Sequence, residues 1–335
     1  MWIVENRTPY AADRTWIRDK DGSHHWVVVV KATFSIRADG NLELADEQLP
    51  PLHAAEYNGE DGISSVRYEA DLVGPKPSTD VIVNGHAYAP HGRPAVQVPV
   101  SLRVNGLQKM LFVRGENLFY RRAGLLLTSD PQPFIRMPIV YERGYGGYDR
   151  KDPDPSEHRL DSSNPVGVGF ATRKAHLIDT PGPNVVYPKE AASAVPAGFG
   201  AIAAWWQPRL KYAGTYDADW MENRKPLLPT DFDDRFFMAS PEDQRLVQPL
   251  LGGTHIEITH MTPEGRLIFE IPRIRLAFTT HISRARHEHR SSLASVVIEP
   301  DERRVVLSWH THLKVKPRDV DYVDRTVVVE KEYLQ

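Results

Sequence analysis

From residue 25 to about 141, apolar residues recur with the short period of β-strands. HWVVVVKATFSIR (25–37) is long and β-branched, and its second half alternates, with Ala32, Phe34 and Ile36 on one side. An Asp39-Gly40 turn and NLEL follow, then SVRYEADLV (65–73) and TDVIVNGHAY (79–88). VQVPVSLRVNGLQKMLFVRG predicts the clearest hairpin, because Asn105-Gly106 suits a two-residue type I′ turn between alternating strands. NLFYRR and PFIRMPIVYE complete this stretch. Between 142 and 250 the period is lost among Gly, Pro, Asp and Asn, as in YGGYDRKDPDPSEH and DTPGPNVVYP. A short helix is expected near 240–250, with Ser240 as cap, Pro241 at the first turn and Asp243 closing a capping box. Strands return from 251: HIEITHM, RLIFEIPRIRLAFTTHI, SSLASVVIEP, RRVVLSWHTHLKV and a terminal DRTVVVEKEYLQ.

The pattern predicts a mainly β protein, an antiparallel sandwich or barrel-like arrangement with long irregular loops and a few short helices. Three stretches are distinguished: a β-rich part at 1–141, a loop-rich aromatic segment at 142–250 and a second β-rich part at 251–335. They are compatible with one continuous domain.

Composition narrows the function classes. With 41 Lys and Arg against 44 Asp and Glu, the formal charge is −3, which gives no electrostatic reason to expect nucleic acid or anionic lipid as a partner. There is no cysteine, so thiolate nucleophiles and thiolate zinc sites are excluded. MWIVENRTPYAADRTW has no basic region followed by an apolar one, and apolar runs such as Trp26–Val30 are far too short for a membrane helix. A cytoplasmic location is expected.

Four features carry candidate chemistry. DLVGPKPSTDVIVNGHAYAP (71–90) holds glycine, lysine and hydroxyls in one loop, the ingredients of a phosphate cradle. It lacks the second glycine of a phosphate-binding loop, has Pro77 where an N–H is wanted, and leads into a strand rather than a helix, so it reads as a stiff strand-to-strand connection. His287 and His289, and likewise His310 and His312, are spaced to share one face of a strand, and four imidazoles on neighbouring strands could hold zinc or nickel. Asp149, Asp152 and Asp154, and Asp231, Asp233 and Asp234, are acid clusters without a calcium-loop pattern; solvated loop acids are the simpler reading. No G-x-S-x-G is present, and no cofactor is expected. Finally, WWQPRLKYAGTYDADW concentrates Trp205, Trp206, Tyr212, Tyr216 and Trp220 in an irregular segment. They either anchor that segment onto the sheets or form a partner-binding surface, since Trp and Tyr dominate interface hot spots.

Several of these stretches also carry a resemblance. KATF (31–34), DLVGPKPSTDVIVNGHAYAP, YERGYGG (141–147), NPVGVGF (164–170), the W-Q-P-R-L…AGTYD segment and PLLPTDFDDRFF…SPEDQ together resemble the bacterial family called domain of unknown function 2169, over about residues 1–310. Val168 and the Met238-Ala239 pair depart from the pattern expected of it. The resemblance implies a neighbourhood of type VI secretion genes and a role, for some members, as adaptor or chaperone that loads an effector onto the secretion spike. Effector and spike-tip proteins are therefore the implied partners. The pentapeptide repeats of some members are absent from this sequence. The alternative from the residues alone is a metal- or carboxylate-dependent hydrolase with its site among the central loops and the C-terminal histidines.

Overall fold

A computed structural model describes residues 2–189 and 194–331. Fourteen strands build three main sheets. In chain order they are β1 (Ile3–Asn6), β2 (Ala11–Arg18), β3 (His24–Ile36), β4 (Asp80–Val83), β5 (Gln97–Val104), β6 (Leu107–Arg114) and β7 (Val185–Val186). After the central segment come β8 (His255–Thr259), β9 (Arg266–Glu270), β10 (Leu276–Ile282), β11 (Ala285–His289), β12 (Ser292–Glu299), β13 (Arg304–Val315) and β14 (Val323–Glu330).

The central sheet runs β2-β3-β13-β12-β4, with Leu42–Leu44 also paired to β3. A second sheet runs β7-β6-β5-β8-β9, and a third β1-β14-β10-β11. The fold is mainly β, as the alternation predicts, and none of the three sheets closes into a barrel. Pairing is mostly antiparallel, but β1 joins β14 and β4 joins β12 in parallel. Those two pairings need long crossovers, so local pattern cannot announce them. Strands from 1–141 and from 251–335 mix in all three sheets, so the three stretches of the sequence are not separate bodies.

The central sheet explains the unbroken run Val27–Val30, all fully buried. A sheet covered on both faces has no solvent side to demand polar residues. On one face Trp26, Val28, Val30, Phe34, Leu307 and Trp309 join the main core with Val98, Val100, Leu102, Ile256, Ile258 and Phe278 of the other two sheets. The opposite face, carrying Ile82 and Val297, packs on the central segment through Val66, Tyr141, Ala201, Ile202, Trp206 and Ala239. In the second sheet β5 alternates strictly, Val98, Val100, Leu102 and Val104 inward and Gln97, Pro99 and Arg103 outward. The Asn105-Gly106 hairpin forms as predicted, with φ of 41° and 83°.

The helix expected near 240–250 does not form. Only a single 3-10 turn, Glu242–Gln244, is present, and the Ser240 hydroxyl caps nothing. The local signals are overridden by tertiary bonds. Asp80 accepts from the Ser240 N–H, Lys109 takes Asp243, and the Gln244 amide is drawn inward to donate to Val81 O and Phe199 O. Val247 is left in solvent, so no amphipathic face exists to hold a longer helix.

Candidate functional site

The five aromatic residues of the central segment divide between inside and outside. Trp206 is fully buried, edge-on to Tyr141 at 5.5 Å. Tyr212 is also buried; its ring carries the guanidiniums of Arg235 at 4.4 Å and Arg245 at 5.5 Å, and its hydroxyl donates to Glu242. These two are anchors. Trp220 is half-buried in a π-helical turn, its indole N–H donating to Leu227 O. Trp205 is 39% exposed and Tyr216 54% exposed, the latter edge-on to Trp220 at 4.7 Å. The anchoring role therefore falls to Trp206 and Tyr212, while Trp205 and Tyr216 are left facing solvent. Leu210 and Met221 are exposed beside them in the chain. Sequence reasoning missed these two because an isolated aliphatic side chain in a loop carries no pattern.

Beneath this surface lies a buried network that fixes it. Asp80, the first residue of β4 and the one that follows the GPKPST connection, is wholly buried. It accepts from Lys76 Nζ at 2.8 Å and from the N–H groups of Ala239 and Ser240, each at 2.9 Å. Burial alone would raise its carboxyl; the Lys76 ammonium and those donors outweigh burial and hold it below the usual carboxylate range. Gly74 is required because a Cβ there would sit 2.2 Å from the Phe237 ring. The loop that resembles a phosphate cradle is thus the clamp that seats SPEDQ and DFDDRFF on the central sheet. Lys76, its one cation, is not available to an outside anion. Arg209 adds a second tie, buried and donating to Phe236 O and Ile202 O while paired with Glu69.

Next to the clamp, Lys31 Nζ donates to Asp71 at 2.7 Å, and Asp71 also accepts from Ser308 Oγ and Leu52 N–H. Lys31, Asp71, Lys76, Ser295 and Ser308 line a cavity of about 140 Å³ between sheet and cover. Its lysines are both committed to carboxylates, so its charge balance is internal. Lys31 was legible in principle: a lysine inside the apolar run WVVVVKATF must either face solvent or find a buried acid.

The histidine pairs do not gather. His287 stands exposed on β11, whereas His289 is wedged between Thr280 and Thr311, hydrogen-bonded to both. That contact continues a chain from Trp26 Nε1 through Thr326 and Thr280, linking the central and third sheets. His310 and His312 lie on the opposite face of β13, His310 buried with neither ring nitrogen bonded among the described residues and His312 against Val73 O. Among the described residues no three His, Asp or Glu side chains converge as metal ligands. The loop acids hold their own loops instead: Asp149 accepts from the Thr172 N–H and bonds the His176 imidazole, Asp231 accepts from the Thr215 N–H, and Asp233 from the Arg235 N–H.

Burial, with His287 nearby, pushes the His289 imidazole down to about 4. Its folded value lies below the ordinary one, so unfolded chains take up the proton first as pH drops. Stability from this group is complete above about pH 6.5 and is lost toward pH 4, on the order of 2–3 kcal/mol. The urea midpoint should fall over that interval, and His289→Gln should flatten part of the fall. An unchanged slope in the variant would show that His289 is not a source of it.

Among the described residues no helix is long and apolar enough to cross a membrane. No curated protein and no solved structure matches the chain. The profile of one bacterial family, described as "Uncharacterized protein conserved in bacteria (DUF2169)", matches residues 21–310 and takes in the clamp, the aromatic segment and the His287/His289 pair. The chain therefore belongs to the DUF2169 family.

Proposed function

We propose that this protein is a non-enzymatic adaptor or chaperone that holds a type VI secretion effector, the spike-tip proteins it is loaded onto, or both. The observation that carries this reading is the outward display of Trp205 and Tyr216 on an irregular segment whose base is locked by Asp80 and Arg209. Large, rigid aromatic side chains supply most of the binding energy in typical interfaces. A segment held in place beforehand loses little conformational freedom on binding, so more of that energy appears as affinity. The secretion context rests on the family resemblance.

Tagged protein should retain the product of its neighbouring effector gene, or a spike-tip protein, from a lysate in which both are expressed. A Trp205→Ala, Tyr216→Ala double variant should weaken retention roughly 30-fold or more, the cost of losing a hot spot, with its melting temperature unchanged. If neither partner is retained and deletion of the gene leaves effector secretion intact, the reading fails.

A further inference from the structure

The outward face of the third sheet, on the side of the central sheet away from the aromatic segment, forms the floor of a second concave region. Thr279 and His281 of β10 and Val327 and Val329 of β14 lie along it, and Pro249–Gly252 with Ile271–Arg275 form a facing wall. The groove encloses about 1390 Å³, beyond the roughly 300–1,000 Å³ of a small-molecule pocket. Its charge is one-sided. Seven cations line it, Arg7, Arg273, Arg275, Arg286, Arg290, Arg325 and Lys331, against two carboxylates, Glu5 and Glu288.

Both carboxylates are already occupied. Glu5 pairs with Arg7 and with Arg325 at 3.6 Å, and Glu288 lies 4.0 Å from Arg286. Arg275, Arg290 and Lys331 are exposed and have no carboxylate partner among the described residues. Arg273 is also paired, with Glu270 at 3.6 Å just outside the lining, so a local excess of four positive charges (7 − 3) stands in a chain whose total is −3. Such a concentration inside a concavity attracts anionic groups.

The groove is bordered by an open strand edge. β11 ends its sheet and pairs only with β10. A two-residue turn, Ser283-Arg284, joins the two strands, so the closing pair Ile282–Ala285 is the hydrogen-bonded kind. Pair types alternate, which directs the main-chain N–H and C=O of Arg286 and Glu288 away from β10. All four residues Ala285–Glu288 are exposed. A free edge of this type is a template for an added strand.

We propose that this groove binds an acidic, extended segment of a partner protein, which pairs with the edge of β11 and turns alternate carboxylates toward the groove cations. The strand edge favours a peptide over a nucleic acid, because a polynucleotide backbone cannot complete a β-ladder. The aromatic rings that line the groove, Phe278 and Trp309, are buried, so there is no exposed platform on which bases could stack. The site lies apart from Trp205 and Tyr216 and stands whether or not the partner belongs to a secretion system.

The test uses the full chain and a fluorescent ten-residue peptide of alternating Glu and Val, followed by anisotropy at low salt. A Lys/Val peptide and a ten-nucleotide single strand are the comparisons. The Glu/Val peptide is expected to bind and the Lys/Val peptide not to. Arg275→Glu with Arg290→Glu should lower affinity at least tenfold, and Glu288→Pro, which removes an outward N–H at an edge position that tolerates proline, should lower it severalfold. Arg121→Glu with Arg122→Glu, on an exposed hairpin elsewhere, should change nothing, and circular dichroism should show all variants folded. Absent peptide binding, equal affinity in either groove variant, or an oligonucleotide that displaces the peptide would each overturn the proposal.

Discussion

Replacing Asp80 by alanine should destabilise the protein by about 3–5 kcal/mol, the cost of removing one partner of a buried ion pair. Three losses act together. Lys76, whose side chain is only 4% exposed, keeps its charge with no carboxylate 2.8 Å away. The N–H groups of Ala239 and Ser240, both buried, lose their acceptor. The 3-10 turn at Glu242–Gln244 loses one of the bonds that hold its entry. Urea unfolding at pH 7 measures the change directly. A Lys76→Met, Asp80→Asn variant should be less damaged than Asp80→Ala alone, because it removes the stranded charge and retains an acceptor for one N–H. A loss below about 1 kcal/mol in Asp80→Ala would mean that the clamp is not what seats the central segment.

The second large effect separates two adjacent tryptophans. Trp206→Ala should cost about 3–5 kcal/mol, the usual range for deleting a buried aromatic side chain. Its ring fills the space between Tyr141 and the small residues Ala201, Ala203 and Ala239, which cannot expand to close the cavity. Trp205→Ala should change stability by less than about 1 kcal/mol, since that ring is partly in solvent and touches Trp206 edge-on at 5.8 Å. The functional order is reversed: Trp205→Ala should reduce partner retention at full stability. Equal destabilisation by the two changes would show that Trp205 is a second anchor and would remove it from the proposed contact surface.

The pair illustrates how far residue type can carry a functional reading. An aromatic-rich irregular segment is visible in WWQPRLKYAGTYDADW, and so is the need for some of its rings to anchor it. Which ring does which depends on the backbone path between Ala203 and Tyr212, where no period of 2 or 3.6 indicates direction. The histidines show the same limit. Spacing correctly places His310 and His312 on one face of β13. It does not reveal that His289 meets the other face of that strand, through Thr311, so that the two pairs are separated by the sheet itself.

Legible in the residues alone were the β class, a long β-branched strand at 25–37, the Asn105-Gly106 hairpin, the stiff GPKPST connection and the family. Each is carried by alternation, turn chemistry or a contiguous motif, which are properties of neighbouring residues. Set only by long-range contacts were the parallel pairings of β1 with β14 and β4 with β12, the single turn where the residues signal a helix, the burial of Lys76 against Asp80, and the gathering of arginines from four segments around one groove. These are contacts between residues far apart in the chain. Their free energies come from desolvation and charge pairing in a buried setting, and no local pattern encodes which residues will share it.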